Sequence, residues 1–161
     1  MEDKHNLSNL KKDYLKIQKK YSLPDFDKLN EDFYIERVAE IETDFLIREI
    51  RKFMADRLAN YLRFVESILN PVNVPMFVFS IVKSLDIEEK NKLTLLYKKL
   101  AKVEVDLIEL DIKFSEEKEA EFIKDSYKIW QEIKEGILEV VDKIKLKWDT
   151  KFETNNKGYF G

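Results

Sequence analysis

Apolar residues recur three and four positions apart through most of this chain, the spacing that gathers them on one side of an α-helix. Leu7, Leu10, Tyr14, Ile17 and Tyr21 follow it first, with Lys11, Lys12, Lys16, Lys19 and Lys20 between them. A first helix is therefore expected over about residues 8–21. Ser22-Leu23-Pro24-Asp25 breaks it, because proline disfavours helix at the preceding residue and Ser22 or Asp25 can cap the next element. Phe26, Leu29 and Phe33 predict that element to be a short helix or turn.

A longer second helix is expected over about residues 34–69, ended by Asn70-Pro71. At about 100° per residue, Val38, Ile41 and Phe45 fall roughly opposite Ile50, Met54, Tyr61, Val65 and Ile68. The stretch from Phe45 to Met54 thus reads as apolar nearly all round, the pattern of a central helix with neighbours on several sides. A short apolar helix comes next at about 74–84, capped by Asn73. Met76-Phe77-Val78-Phe79 would also suit a buried strand, but no partner strand is evident in the chain.

Asp86 with Glu89 has the form of a capping box that opens another helix. Its seam is the strictest in the chain: Leu93, Leu96, Leu100, Val103, Leu107, Leu110 and Phe114 alternate three and four apart, as in helices packed side by side. The phase is lost at Phe114-Ser115-Glu116-Glu117, where a serine followed by acids predicts a new N-terminus. A single helix through residue 115 stays open, since no glycine or proline marks a turn there. The last helix carries Ile123, Tyr127, Trp130, Ile133, Ile137, Val140, Ile144 and Trp148, with Gly136 inside it. From Asp149 the pattern fades. These elements predict an all-α chain: an antiparallel bundle of about four or five helices with a long central helix at about 34–69. One domain is expected over residues 1–149, succeeded by a flexible C-terminal tail over 150–161.

Composition agrees with one packed domain, with 161 residues, 44% of them hydrophobic and 38% charged. A net charge of −3 gives no general attraction to nucleic acid or to an anionic membrane. There is no cysteine, hence no disulfide or thiolate metal site. The opening residues lack the apolar core of a signal peptide, and the longest apolar run, Val74 to Val82, is about half a membrane span. A cytoplasmic protein without membrane contact is expected.

The candidate chemistry is mostly subtractive. Gly136, Gly158 and Gly161 cannot build a phosphate-binding loop. His5, the one histidine, removes histidine-based triads and the Glu-x-x-His di-iron bundle. Glu36, Glu40 and Asp44 share a face of the expected second helix, as do Glu117 and Glu121 on the last, but such pairs are commonplace on charged helices. No catalytic, cofactor-binding or metal-ligating set is expected, and the chain reads as a non-enzyme.

Three features remain as candidates for a role. All the arginines, Arg37, Arg48, Arg51, Arg57 and Arg63, lie on the expected second helix of a chain otherwise biased towards lysine. Arginine's planar fork grips carboxylates or phosphates with two parallel hydrogen bonds. Arg51 and Arg57 fall into or beside the apolar arc, and buried charges need partners. The expectation is an ionic network of Arg48, Arg51 and Arg57 with Glu104 and Asp111; the alternative is an anion-binding patch. Lys12, Lys16 and Lys19, with Tyr14 and Tyr21 as stacking platforms and Arg63 nearby, form a candidate nucleic-acid contact. Tyr159 and Phe160 at the end of the tail are candidates for docking into a partner's groove. The expected function is that of a helical protein-interaction protein, adaptor or structural. Its partner would be another protein or a second copy of itself, with no small-molecule ligand. The alternative is a nucleic-acid-associated factor using the Lys-rich first helix and the Arg-bearing second.

Overall fold

The computed structural model describes the backbone of residues 2–157 and the side chains of residues 6–150 other than Phe77 and Ile81. Its regular elements are all helical: α1 (Glu2–Tyr21), α2 (Phe26–Phe33), a 3₁₀ segment (Ile35–Glu40), α3 (Leu46–Leu69), α4 (Met76–Val82), α5 (Ile87–Ile112) and α6 (Glu116–Lys157). The all-α helical bundle expected from the apolar periodicity is therefore the architecture found, with more and shorter elements before Leu46.

The helix expected over 34–69 is divided. Tyr34 adopts a left-handed conformation (φ 55°, ψ 42°) that ends α2, its N–H bonding Asn30 O at 2.8 Å. Left-handed backbone costs a non-glycine residue about 1–2 kcal/mol, and here it is supported from outside. The Asn30 side chain accepts from Glu36 N–H (2.8 Å), and the Arg57 guanidinium lies 4.4 Å from the Tyr34 ring centroid. After the 3₁₀ turn the chain leaves the helix again at Ile41 (φ −108°, ψ 123°), and Thr43 Oγ1 accepts from Phe45 N–H at 3.0 Å. A threonine that bonds nearby backbone competes with helix in this way. The long central helix is thus α3 alone, from Leu46. The apolar girdle around residues 45–54 was a change of phase between two elements: Ile35 and Val38 are buried under one, while Ile41 and Phe45 are exposed at the break.

The ion pairs give the topology. Arg51 near the start of α3 meets Asp111 at the end of α5 and Glu119 at the start of α6. Glu89 at the start of α5 meets Lys147 late in α6. Hence α5 runs antiparallel to both α3 and α6, which run parallel to each other. The three pack mutually to form the main body. Their contact surfaces are the expected ones except at the end of the α5 seam, where Phe114 lies beyond the helix and is 45% exposed. Leu93, Leu96, Leu100, Val103 and Leu110 of α5 are buried, as are Ile123, Trp130, Ile133, Ile137 and Val140 of α6. Between α3 and α6, Tyr61 stacks on Trp130 with centroids 4.8 Å apart, and Phe33 of α2 tilts against the same indole at 6.0 Å. Gly136 has a packing role: an added Cβ would come within 3.2 Å of Leu96 Cδ2, so its absence lets α5 and α6 approach.

The turn between α5 and α6 needs no glycine. Lys113 (φ −118°, ψ 67°) leaves the helix, and Ser115 Oγ accepts from Lys118 N–H at 3.2 Å to open α6. At the other end α6 continues to Lys157, beyond Asp149 where its apolar pattern fades.

The α1 helix begins at Glu2 and packs on the 3₁₀ segment, α2 and α3. Tyr14 is its anchor: the ring is buried edge-on against Phe26 at 5.3 Å, and the hydroxyl donates to Pro24 O at 2.6 Å.

Asp86 and Glu89 form the expected capping box, with side-chain-to-backbone bonds of 2.8 Å in both directions. Glu89 also accepts from Lys147 Nζ at 2.9 Å, and the same ammonium donates to Ser84 O, tying α5 to α6. The Lys147 hydrogen bond, then the Asp86 N–H, hold the Glu89 carboxyl below the ordinary glutamate value of 4.5. A carboxyl with a lowered folded-state pKa stabilises above its unfolded value, and that contribution is lost as pH falls through the lowered value. Glu89→Gln is therefore expected to be less stable at neutral pH and to lose less stability below about pH 4.5. Thermal unfolding of both proteins between neutral and acidic pH checks this; parallel pH profiles would contradict it.

Candidate functional sites: an internal ionic cluster and an exposed apolar stripe

Arg51 is buried together with Glu119, and its second carboxylate partner, Asp111, lies at the exposed edge of the cluster. Its Nε donates to Glu119 Oε2 at 2.7 Å, and its Nη2 donates to Glu119 Oε1 and to Asp111 Oδ1, each at 3.3 Å. Glu119 is fully buried, and Arg48 Nε lies 3.8 Å from its second oxygen. The Arg48 guanidinium sits 4.0 Å from the Phe114 ring centroid and 5.5 Å from that of Phe45. A planar fork suits this place, since one side chain has to satisfy two carboxylates from two helices. The cluster joins α3, α5 and α6 beside the α5–α6 turn.

The structure thus brings Arg48, Arg51 and Asp111 together, but around Glu119. Glu104 stands outside the cluster. Arg57 turns the other way: its Nη1 donates to Asp32 O at 3.2 Å while its guanidinium packs on Tyr34. The Asp32 carboxylate accepts from Gln131 at 2.7 Å and lies 3.8 Å from Lys134, so Arg57 and α6 jointly hold the end of α2. Six residues of α3, about 1.7 turns, separate Arg51 and Arg57 into two structural fastenings. With its Nε and Nη2 committed to two carboxylates and its side chain buried, Arg51 presents no open fork to a phosphate.

On α1 the lysines expected to meet nucleic acid are exposed. Lys16 pairs with Asp13 at 2.7 Å, next to the neighbouring Lys11–Asp27 pair, also at 2.7 Å. Tyr14 is core, and Tyr21 donates its hydroxyl to Glu116, so neither ring is a free stacking platform. Arg63 bonds Asn60 on its own helix at 3.0 Å. The acids Glu36, Glu40 and Asp44 no longer share a helix face, because the 3₁₀ segment ends at Glu40. Among the described residues, no group of three or more His, Cys, Asp or Glu could hold a metal ion. No helix among them is long and apolar enough to cross a membrane. Tyr159 and Phe160, the expected docking pair, lie outside the described residues, as does the side chain of His5.

A surface feature missed by the sequence reading lies on α5, on the side away from its buried seam. Val105, Ile108 and Ile112 are 64%, 59% and 76% exposed. They fall at i, i+3 and i+7, so they form one stripe over the last two turns of the helix. The half-exposed ring of Phe114 comes after them at the turn, and the partly buried Ala101 precedes them on the same face. The signal was present in the chain as a second apolar period on the same helix, masked by the stricter leucine seam. Comparison of the chain with protein-family models, curated proteins and solved structures finds no match.

Proposed function

We propose that this chain is a non-enzymatic helical interaction protein of the cytoplasm, and that the outer face of α5 is the surface it offers to another macromolecule. The observation that carries this reading is the stripe of Val105, Ile108 and Ile112. Single exposed aliphatics are ordinary on any protein surface. Adjacent large ones at helical spacing, rimmed by charges, are the arrangement that marks contact surfaces. Buried Arg51 supports the same division of labour: its geometry is spent on tying the end of α5 to α3 and α6, which presents the outer face of α5 on a rigid support.

The test is site-specific photocrosslinking in nuclease-treated native lysate. A photoreactive residue at Ile108 is compared with one at Leu146, an equally exposed aliphatic position on α6. A discrete polypeptide adduct from position 108, absent from 146 and abolished by Val105→Glu, is the expected result. Equal labelling from both positions, or none from 108, would overturn the reading.

A further inference from the structure

We propose that the outer face of α5 pairs with the same face of a second copy of the chain, antiparallel about a two-fold axis near Val105. The proposal rests on the reading of that face as an interaction surface and names its occupant.

Charge along the helix argues for this occupant. From residue 90 to 103, α5 carries lysines and no acid; from 104 to 111 it carries Glu104, Asp106, Glu109 and Asp111 and no base. Beyond the acidic first turn at Glu88 and Glu89, the helix is thus basic and then acidic, and two such stretches complement each other only when one is reversed. Parallel pairing in register would set lysine against lysine and acid against acid along the whole contact, which disfavours it.

The stripe sets the register. With the axis near Val105, that residue faces its own copy, as one position on a two-fold interface must. Ala101 then comes opposite Ile108 of the second copy, so small meets large across the axis. Lys102 comes within one turn of Glu109 of the second copy, and symmetry repeats the pair. Further out, exposed Leu95 comes opposite the level of exposed Phe114. Lys102 and Glu109 flank the same edge of the stripe, and like edges meet in an antiparallel helix pair. Within one chain Lys102 pairs with Asp106 and Glu109 lies 3.9 Å from Lys118, both at exposed positions from which the side chains can turn to a partner.

The experiment is light scattering on the purified full chain from about 1 μM to about 1 mM, the range in which modest interfaces associate. The expected mass rises from 19.3 kDa towards twice that value. Ile108→Glu is expected to raise the dissociation constant at least about tenfold, the order expected for a charge forced into an apolar contact. Its circular dichroism should stay unchanged, since the side chain is mostly exposed and lies outside the buried core. Lys102→Glu and Glu109→Lys should each weaken association, and the two together should restore it.

Orientation is read by disulfide trapping, which is clean because the chain has no cysteine of its own. Val105→Cys should crosslink on oxidation. Ile112→Cys should not, because its two copies would lie about 21 Å apart along the helices at ~1.5 Å per residue, beyond the ~7 Å a disulfide spans. A monomer throughout the concentration range overturns self-pairing; a photocrosslink from Ile108 to a different polypeptide would then leave the interaction reading standing. A dimer indifferent to Ile108→Glu, or one trapped equally through Ile112→Cys, overturns the proposed face or its orientation.

Discussion

Glu119→Ala is expected to lower folding stability by about 3–5 kcal/mol, among the largest effects of any single substitution in this protein. Glu119 is fully buried, and both of its oxygens bond to the Arg51 guanidinium. Without it, Arg51 keeps only Asp111, an exposed residue, and a guanidinium in the interior loses its close counter-charge. The cost is the penalty of an uncompensated buried charge, which differs from the net worth of the pair. The distinction has its own consequence. Arg51→Met combined with Glu119→Leu removes both charges and fills the space, and it should recover most or all of the loss. Urea unfolding at a fixed low protein concentration measures all three proteins, because self-association would otherwise add to apparent stability. A Glu119→Ala loss below about 1 kcal/mol, the size of a surface pair, would mean that water reaches the cluster.

Leu100→Ala is expected to cost about 2–5 kcal/mol, whereas Ile108→Ser, two turns along the same helix, should stay within about 0.5 kcal/mol in the dilute monomer. Leu100 is 1% exposed and packs in the seam between α3, α5 and α6, so truncation leaves a cavity there. Ile108 is 59% exposed and lies outside the buried core cluster. The contrast assigns opposite duties to opposite faces of α5: one is spent on folding, the other is left over. Comparable losses at both positions would show that the helix is rotated from the orientation described.

The seam of α5 and the apolar face of α6 were legible in the chain because burial sets their period directly. The break at residues 41–45 was not. Its residues stay apolar enough to continue a helix, and it is made by Thr43 bonding the backbone and by a left-handed Tyr34, neither of which disturbs composition. Its trace was the shift of about half a turn between the set Val38, Ile41 and Phe45 and the set Ile50, Met54 and Tyr61, which reads equally as one helix apolar all round. Tyr14 shows the opposite case. The spacing that places it with Leu10 and Ile17 also consigns its ring to the core, so the first helix is a basic surface without stacking rings.

Within the ionic cluster, Arg51 and Asp111 could be named from their place beside apolar arcs. Glu119 sits one turn before Ile123, on the buried face of α6, where an acid has to be paired. It follows Ser115, Glu116 and Glu117 in the first turn of α6, where an acid is favoured by the helix N-terminus without any buried partner. Arg57 was assigned to the cluster because a helical wheel gives direction around α3 but not the distance along it. Six residues, about 1.7 turns, separate it from Arg51, enough to carry it to the end of α2.

The most direct measurement of the central claim is residue-resolved oxidative footprinting of α5, on purified protein at high dilution and in concentrated native lysate. Leu100 and Leu110 should resist modification in both. Val105, Ile108 and Ile112 should react readily in the dilute protein and become protected in the lysate. Reaction of these three to the same extent in both conditions would leave the outer face of α5 as bare surface and contradict its role as a contact site.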